Sequence, residues 1–302
     1  MSAHQHDHDP GHRTAPSGSL TALAVTFALT ATIFLAQVIG GLVSGSLALL
    51  SDAMHMLSDS TGLLIALVAL LIGRRAATPR ATYGYRRVEV LAALVNAAVV
   101  SAVSVWIVIR AVGRIGGHES IDTGMMLVVA VVGLLANLIS TLILMRRQHE
   151  SLNMRGAYLH VLSDLVGSVA VIIAGLIIHF TGWLAADTIA SLFIAALVLP
   201  RALRLLAESL SVLMNHTPRG VDTREVEAAL VGLPGVTAVH DLHIWSTDGT
   251  KPLATCHLVV DDMNVSDGGI LAAAQTRLQD FGIEHSTIQI EQDGHVHHEE
   301  VC

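Results

Sequence analysis

Two copies of the word H-x-L-S-D hold the side chains of this chain that are best suited to chemistry. They run from His55 to Asp59 and from His160 to Asp164, and both lie inside long apolar segments. In each copy the histidine and the aspartate are four residues apart, so a helix places them on one face, one turn from each other. Two such faces turned toward each other would offer two imidazoles and two carboxylates, a tetrahedral ligand set for a divalent ion such as Zn²⁺.

The location of these words inside apolar segments indicates what the metal is for. Ionisable side chains are costly in a membrane helix, so those that occur there are usually functional. One histidine alone would fit a polar contact between helices equally well, but repetition of the whole word favours a metal site. We therefore expect the ion to be the substrate of the protein and not a resident cofactor. Metal-bound imidazole is neutral and bound carboxylate ionised, so metal binding expels protons. This predicts exchange of metal for protons, with His55 and His160 as the principal proton carriers.

Asp52 lies three residues before His55, on nearly the same helix face. Two interpretations stay open for it. The carboxylate either fixes the tautomer of the imidazole or lies at the membrane surface and meets water or an arginine. Gln37, Asn96 and Asn137 are further polar residues within apolar segments, and contacts between helices explain them as well as a transport path does.

The composition predicts the elements that position these residues. Of the 302 residues, 52% are hydrophobic and only 14% are charged, whereas about a quarter are charged in soluble domains. The formal net charge of −8 gives no indication of nucleic-acid binding. Six apolar segments have the length of about 20 residues that a bilayer core requires. They are residues 20–43, 47–72, 89–113, 123–145, 157–180 and 186–206.

Arginines in the short loops predict the orientation in the membrane. Five arginines lie between the second and third segments and three between the fourth and fifth, whereas the opposite side has two near its loops. Since basic loops stay in the cytosol, we expect a multi-pass protein with both termini cytosolic. The compact loops and the arginine-rich, lysine-poor composition favour a bacterial inner (plasma) membrane.

The last third of the chain has the pattern of a small α+β domain. The order αββαβ predicts a cytosolic domain of the ferredoxin-like class. Its predicted elements are Val221 to Leu233, Val236 to Trp245, Leu253 to Val260, Ser266 to Phe281 and His285 to Glu291. The chain then divides into a His-rich disordered tail (1–18), a six-helix transmembrane domain (19–208), this domain (209–292) and a second His-containing tail (293–302). Whether the tails bind metal stays open.

Four stretches of sequence resemble the cation diffusion facilitator family. S-G-S-L-A-L-L-S-D-A-M-H-M-L-S-D, from Ser44 to Asp59, is similar to its second-helix signature, and Y-G-Y-R-R-V-E-V-L-A-A-L, from Tyr83 to Leu94, to the start of its third helix. H-D-L-H-I-W-S, from His240 to Ser246, and H-S-T-I-Q-I-E, from His285 to Glu291, resemble its C-terminal domain. The resemblance implies a homodimeric antiporter that exports divalent metal from the cytosol in exchange for protons. The His-Asp/His-Asp quartet is similar to that of its bacterial zinc and zinc/cobalt/cadmium exporters, which serve metal homeostasis and resistance.

The resemblance also implies a second, regulatory metal site in the cytosolic domain. It assigns this site to His240, His257, His285 and Glu291, with Zn²⁺ as a regulatory ligand that stabilises the dimer. Whether His240 or His243 is the ligand stays open. The alternative that these are surface or packing histidines stays open too.

Three other functions fit the sequence less well. A membrane metalloprotease needs a glutamate base, as in H-E-x-x-H, but Met56 and Val161 follow the two histidines; no catalytic residues and no enzyme are predicted. A passive channel is disfavoured because four ligands hold an ion too tightly for fast conduction. A membrane metal sensor that signals through its cytosolic domain is the main alternative, although no output domain is recognised. The expected partners are a divalent ion, protons, the lipid bilayer and a second copy of the chain.

Overall fold

A computed structural model describes residues 17–72, 78–115, 120–145, 152–261 and 267–292 of the chain. The histidines of both predicted tails lie outside these residues. Within the described helices, the side chains of Asp59 and His160 are likewise outside the part that the structure describes.

Each of the six predicted apolar segments corresponds to one long helix. Most of the helices extend beyond the apolar run, because the helix continues through the polar residues that flank it. The helices are α1 (Ser17–Ser44), α2 (Leu47–Ile72), α3 (Arg86–Gly113), α4 (Thr123–Met145), α5 (Leu152–Thr181) and α6 (Ala185–Leu213).

Several of these helices are suited to a membrane by length and composition. Among the described residues, four stretches are long and apolar enough to cross a bilayer, and a shorter apolar stretch lies in α4. The four are Phe27–Ser44, Arg86–Gly113, Asp164–Thr181 and Ala185–Leu213, and the shorter one is Thr123–Ile139. The domain is therefore a helical membrane domain, and a complete set of six spans remains a prediction.

α2 has a central position in the bundle. α3 packs along α6, α1 along α2 and α4 along α5, while α2 also contacts α3, α5 and α6. Since lipid is as apolar as the helices, close van der Waals contact and polar contacts between helices hold such a bundle together. The fully buried side chains between the helices include Leu49, Val100, Met126, Val171 and Ile194.

Hydrogen bonds tie several helices together at one end of the bundle. We call the end where α6 begins the distal end, and the end where α6 leads into the C-terminal domain the proximal end. The Asp187 carboxylate at the start of α6 accepts hydrogen bonds from Ser46 Oγ (2.5 Å) and the Leu47 backbone N–H (2.8 Å), and so caps α2. Arg114, after α3, donates to the Gly45 carbonyl (2.8 Å), in a turn where Gly45 has a φ of 74°.

The C-terminal domain has the predicted order of elements. They are α7 (Thr223–Val231), β1 (Val236–Ser246), β2 (Pro252–Val260), α8 (Asp267–Asp280) and β3 (His285–Glu291). The sheet has the order β1-β2-β3, with β1 and β2 antiparallel and β2 and β3 parallel. The α+β class is confirmed, and its ferredoxin-like assignment stays a prediction.

A free cysteine lies in the core of this domain. Cys256 on β2 is 1% exposed and packs with Leu230, Leu258 and Leu278. Burial raises the pKa of its thiol to about 11. The thiol therefore stays protonated at neutral pH and is a packing group, unsuited to bind metal as a thiolate.

The two domains contact each other where α3 begins. Arg86 Nη1 lies 3.3 Å from Asp248 Oδ2 in the β1–β2 turn, and Arg87 Nη2 donates to Asn215 Oδ1 at 2.6 Å, just after α6. Both contacts join the C-terminal domain and its linker to a helix that lines the cavity described below.

Candidate metal sites

The structure brings together one member of each H-x-L-S-D word. His55 on α2 and Asp164 on α5 are 6% and 5% exposed, and His55 Nε2 lies 3.1 Å from Asp164 Oδ1. Such a buried contact between an imidazole and a carboxylate on two different helices is the arrangement that the sequence predicts. These two groups alone supply half of a tetrahedral ligand set.

The other two predicted ligands, Asp59 and His160, follow the same helices. Because α2 and α5 run in opposite directions between the ends of the bundle, the step from His55 to Asp59 and the step from Asp164 back to His160 both lead toward the proximal end. Each step is four residues, or about 6 Å along a helix axis. The backbone thus places the four residues of the two words, which we call the membrane quartet, on two facing helices.

A cavity of about 200 Å³ adjoins His55. Its wall includes Ser58 as well as His55 on α2, Ala97 and Val100 on α3, and Arg201 and Leu205 on α6. These α6 residues lie toward the proximal end, so the cavity extends from His55 in that direction. Water and a hydrated ion would reach the imidazole from the proximal side.

Asp52 is buried on the other side of His55. The residue is 2% exposed, and its Oδ2 accepts hydrogen bonds from Gln37 Nε2 on α1 at 2.6 Å and from Ser168 Oγ on α5 at 3.3 Å. The interpretation that placed this carboxylate at the membrane surface is therefore wrong. α1 and α5 shield it from lipid and supply an amide and a hydroxyl as its partners.

A second group of possible ligands lies on the sheet of the C-terminal domain. The rings of His240 on β1 and His257 on β2 have centroids 4.8 Å apart, at 74° to each other. Glu291, at the end of β3, accepts a hydrogen bond from His240 and has Oε1 3.7 Å from His257 Nδ1. The ligand atoms of His240, Asp241 and His257 lie within 4.8 Å of one another. We call these four residues the sheet cluster.

Strand register explains why these residues meet. His240 pairs directly with His257 across the antiparallel strands, and Glu291 pairs with Val259 two residues further along β2. Between His240 and His243 the register shifts, and Asp241 there has a φ of 49°. This bulge brings the Asp241 carboxylate to the two imidazoles.

The same register decides between the predicted cytosolic ligands. His243 is exposed and lies outside the cluster, which favours His240. His285 begins β3 beside Leu253. It is six residues, or about 20 Å, from Glu291 and four residues, or about 13 Å, from the position that pairs with His257. The structure does not bring His285 to the other three residues. Asp241 takes part instead. The one signal for it in the sequence is its residue type, because an aspartate within a strand tolerates the positive φ of a bulge.

The electrostatics of the cluster suit a metal ligand. Burial alone would raise the pKa of the Glu291 carboxyl, but hydrogen bonds from His240 and Gln289 and the two nearby imidazoles outweigh burial and hold the pKa below its usual range. Glu291 is therefore ionised at neutral pH, the form that binds a cation.

Comparison with known proteins assigns the family of both domains. The family profile described as the cation efflux transmembrane domain matches residues 23–214, and the profile of the cation efflux protein cytoplasmic domain matches residues 218–293. Together they cover both domains that carry the candidate sites.

Several curated relatives align with nearly the whole chain. The metal cation efflux system protein CzcD of Cupriavidus metallidurans is 44% identical over 95% of this chain and 89% of its own length. The zinc transporter ZitB of Escherichia coli is 42% identical, with 96% and 92% covered. The cadmium, cobalt and zinc/H(+)-K(+) antiporter of Bacillus subtilis is 38% identical, with 95% and 94% covered. These proteins are metal cation transporters and not enzymes, and the chain belongs with them to the cation efflux, or cation diffusion facilitator, family.

Proposed function

We propose that this protein is a secondary active exporter that moves divalent metal, with Zn²⁺ as the preferred ion, out of the cytosol in exchange for protons. The observation that carries the proposal is the buried contact between His55 Nε2 and Asp164 Oδ1 at 3.1 Å, across two helices. Imidazole with carboxylate is a ligand pair suited to zinc and its neighbours in the first transition row. The names of two relatives support the same group of ions: one is a zinc transporter, and the other is an antiporter for cadmium, cobalt and zinc.

The transported ion is held by the membrane quartet of His55, Asp59, His160 and Asp164. Zinc displaces the protons of the ligands as it binds, because it requires neutral imidazole and ionised carboxylate. When the quartet is emptied on the other side of the membrane, protons rebind to it and are carried back. The name of the Bacillus subtilis relative, an antiporter for H⁺ and K⁺, supports the proposal of proton exchange.

The access route of the ion follows from the cavity and the distal hydrogen bonds. All six helices span the membrane in this proposal, with both termini in the cytosol, so the proximal cavity at His55 faces the cytosol. The contacts of Asp187 and Arg114 hold the distal ends of the helices together. This arrangement receives metal from the cytosol, and transport requires a second arrangement that is open at the distal side.

The sheet cluster of His240, Asp241, His257 and Glu291 is the regulatory site of the proposed homodimer. Its ligands lie on three strands joined by backbone hydrogen bonds, so metal there would stabilise the domain rather than be handed on. Full zinc occupancy of a site that exists only in the folded state raises the free energy of unfolding by mass action.

Zinc flux into proteoliposomes tests the proposal. Vesicles with an acidic lumen should accumulate Zn²⁺ through the wild-type protein, and an ionophore that collapses the proton gradient should stop the uptake. Asp59→Ala and Asp164→Ala should each abolish it, because each removes one of the two carboxylates of the quartet. Uptake that persisted in both variants would place the transport path elsewhere and would reduce the H-x-L-S-D words to contacts between helices.

A further inference from the structure

A buried polar seam lies on the opposite side of His55 from the cavity. It consists of one residue from each of four helices: Gln37 on α1, Asp52 on α2, Asn137 on α4 and Ser168 on α5, which are 0%, 2%, 7% and 0% exposed. Asp52 accepts from Gln37 and Ser168, and Asn137 Nδ2 donates to Ser168 Oγ at 3.4 Å. The cavity, by contrast, is lined by α2, α3 and α6.

The seam lies one helical turn distal to the described members of the quartet. On α2 the chain runs from the distal end, and Asp52 comes three residues before His55. On α5 the chain runs toward the distal end, and Ser168 comes four residues after Asp164. An ion that leaves the quartet toward the distal side therefore meets Asp52 within about 6 Å.

Two glycines make room for the polar side chains of the seam. A Cβ on Gly167 of α5 would lie 2.7 Å from Asp52 Oδ1, and a Cβ on Gly133 of α4 would lie 2.9 Å from Gln37 Nε2. Any larger residue would displace these groups, because real Cβ atoms do not approach other atoms so closely. The helices are thus shaped around the carboxylate and the amide.

The amide of Gln37 leaves one oxygen unused. Only its NH₂ group can donate to the Asp52 carboxylate, so that contact fixes which way the amide is turned. Its Oε1 is buried and has no hydrogen-bond partner within the part of the chain that the structure describes. A buried acceptor without a partner is unfavourable, so a cation that bound this oxygen would recover the missing interaction.

We propose that Asp52 and Gln37 Oε1 form a release site for the divalent ion, one turn distal to the membrane quartet. The inference rests on the proposed function. A carboxylate and an amide oxygen bind zinc without imidazole, and oxygen ligands alone hold it less tightly than a mixed set with nitrogen. The ion passes from the tighter quartet to this weaker site when the four helices of the seam separate, and then to solvent.

Kinetics of zinc transport with Asp52→Asn test the release site. Asparagine keeps the shape of the side chain and an oxygen that accepts from Gln37 and Ser168, but removes the charge. We expect the zinc affinity of the purified protein and the KM for zinc to stay within about threefold of wild type, and the maximal flux to fall about tenfold, because the ion binds but leaves slowly. Asp280→Asn makes the same change at an exposed residue of α8, outside the membrane domain, and should transport like the wild type.

Two results would overturn the release site. Wild-type maximal flux with Asp52→Asn would show that its charge is not needed. A loss of zinc affinity as large as that of Asp164→Ala would show that Asp52 supports the quartet instead. Should Asp52→Asn fail to fold, Gln37→Met carries the test: unchanged zinc affinity with lower maximal flux supports the site, and unchanged flux refutes it. Absence of proton-driven flux in the wild type would refute the proposed function itself and is distinguishable from all of these.

Discussion

The two proposed metal sites lie on different kinds of scaffold. The membrane quartet lies on α2 and α5, two helices that contact each other through side chains, with a cavity on one side and a polar seam on the other. The sheet cluster lies on three adjacent strands whose spacing is fixed by backbone hydrogen bonds. Helices can shift against each other by small sliding movements, whereas paired strands cannot without breaking their ladder. The proposed transport site, which must open and close, thus lies between helices, and the proposed regulatory site, which must only bind, lies on a sheet.

The largest effect should come from the charge of the quartet. Asp164→Asn keeps the shape of the side chain but leaves His55 without its anionic neighbour at 3.1 Å. We expect the initial rate of proton-driven zinc uptake to fall about a hundredfold or more, while zinc binding at the sheet cluster stays unchanged. Flux in proteoliposomes and zinc stoichiometry of the purified protein measure the two.

An exposed carboxylate provides the control for this variant. Asp280 at the end of α8 has a side chain that is 63% exposed and pairs with Arg277. Asp280→Asn removes the same charge from the protein and should leave both zinc uptake and zinc stoichiometry at wild-type values. Equal losses in the two variants would mean that net charge, and not the quartet, controls transport.

The second prediction concerns the spacing of the helices around the quartet. Gly167→Ala puts a Cβ 2.7 Å from Asp52 Oδ1, which forces α2 and α5 apart or displaces the carboxylate. Overpacking of this kind costs about 1–3 kcal/mol, and we expect zinc uptake to fall about tenfold because ligands on both helices shift. Gly113→Ala is the matched control, since nothing lies within 4 Å of its Cβ position. Wild-type uptake with Gly167→Ala would show that the spacing of these helices is not critical.

The sequence predicted those features that a local pattern defines. The repeated word predicted that each copy presents its histidine and aspartate on one helix face, because the four-residue step of a helix is known in advance. The apolar segments predicted the helices for the same reason. The contact between His55 and Asp164 shows that the two helices lie side by side. What the sequence could not predict depends on how elements cross. The surroundings of Asp52 depend on how α1 and α5 approach α2. Nothing in the sequence identified Gln37 as its hydrogen-bond partner.

Strand register limited the prediction of the sheet cluster in a similar way. The resemblance grouped His285 with Glu291, although both lie on β3 and a strand separates its two ends by its whole length. Asp241 was missed because it reaches the imidazoles only through a bulge, where an extra residue reverses the alternation of side chains. Neither the bulge nor the pairing of His240 with His257 can be derived from alternation alone.

The third prediction separates the sheet cluster from the membrane quartet. His240→Ala removes one of the two facing imidazoles and should abolish the stabilisation of the protein by zinc, which at a hundred times the dissociation constant amounts to about 2.7 kcal/mol. Thermal unfolding of the purified protein with and without zinc measures it.

Maximal zinc uptake of the same variant should fall only about threefold, since the quartet is intact. His243→Ala is the control, because this residue is exposed and lies outside the cluster. Unchanged zinc stabilisation in His240→Ala would remove the cluster as a metal site.

The smallest effect is expected at the contact between the domains. Asp248→Asn breaks the ion pair with Arg86, whose side chain is 57% exposed, so the free energy of unfolding should fall by no more than about 1 kcal/mol. The loss should shrink as salt is raised, because exposed pairs are screened. Asp261→Asn, in an exposed residue after β2, is the matched control.

The pH dependence of this contact follows from the direction of its pKa shift. Burial alone would raise the pKa of the Asp248 carboxyl, but hydrogen bonds from Thr250 and the Lys251 backbone, with the charge of Arg86, outweigh burial and hold the pKa below its usual range. A carboxyl with a lowered pKa stabilises the folded state above its unfolded pKa of about 3.9, and the contribution is lost as pH falls through the lower, folded value. Thermal unfolding should therefore show the same difference between Asp248→Asn and wild type at pH 6, 7 and 8. A difference that changed across this range would mean that a histidine, and not the Asp248 carboxyl, controls how the two domains are joined.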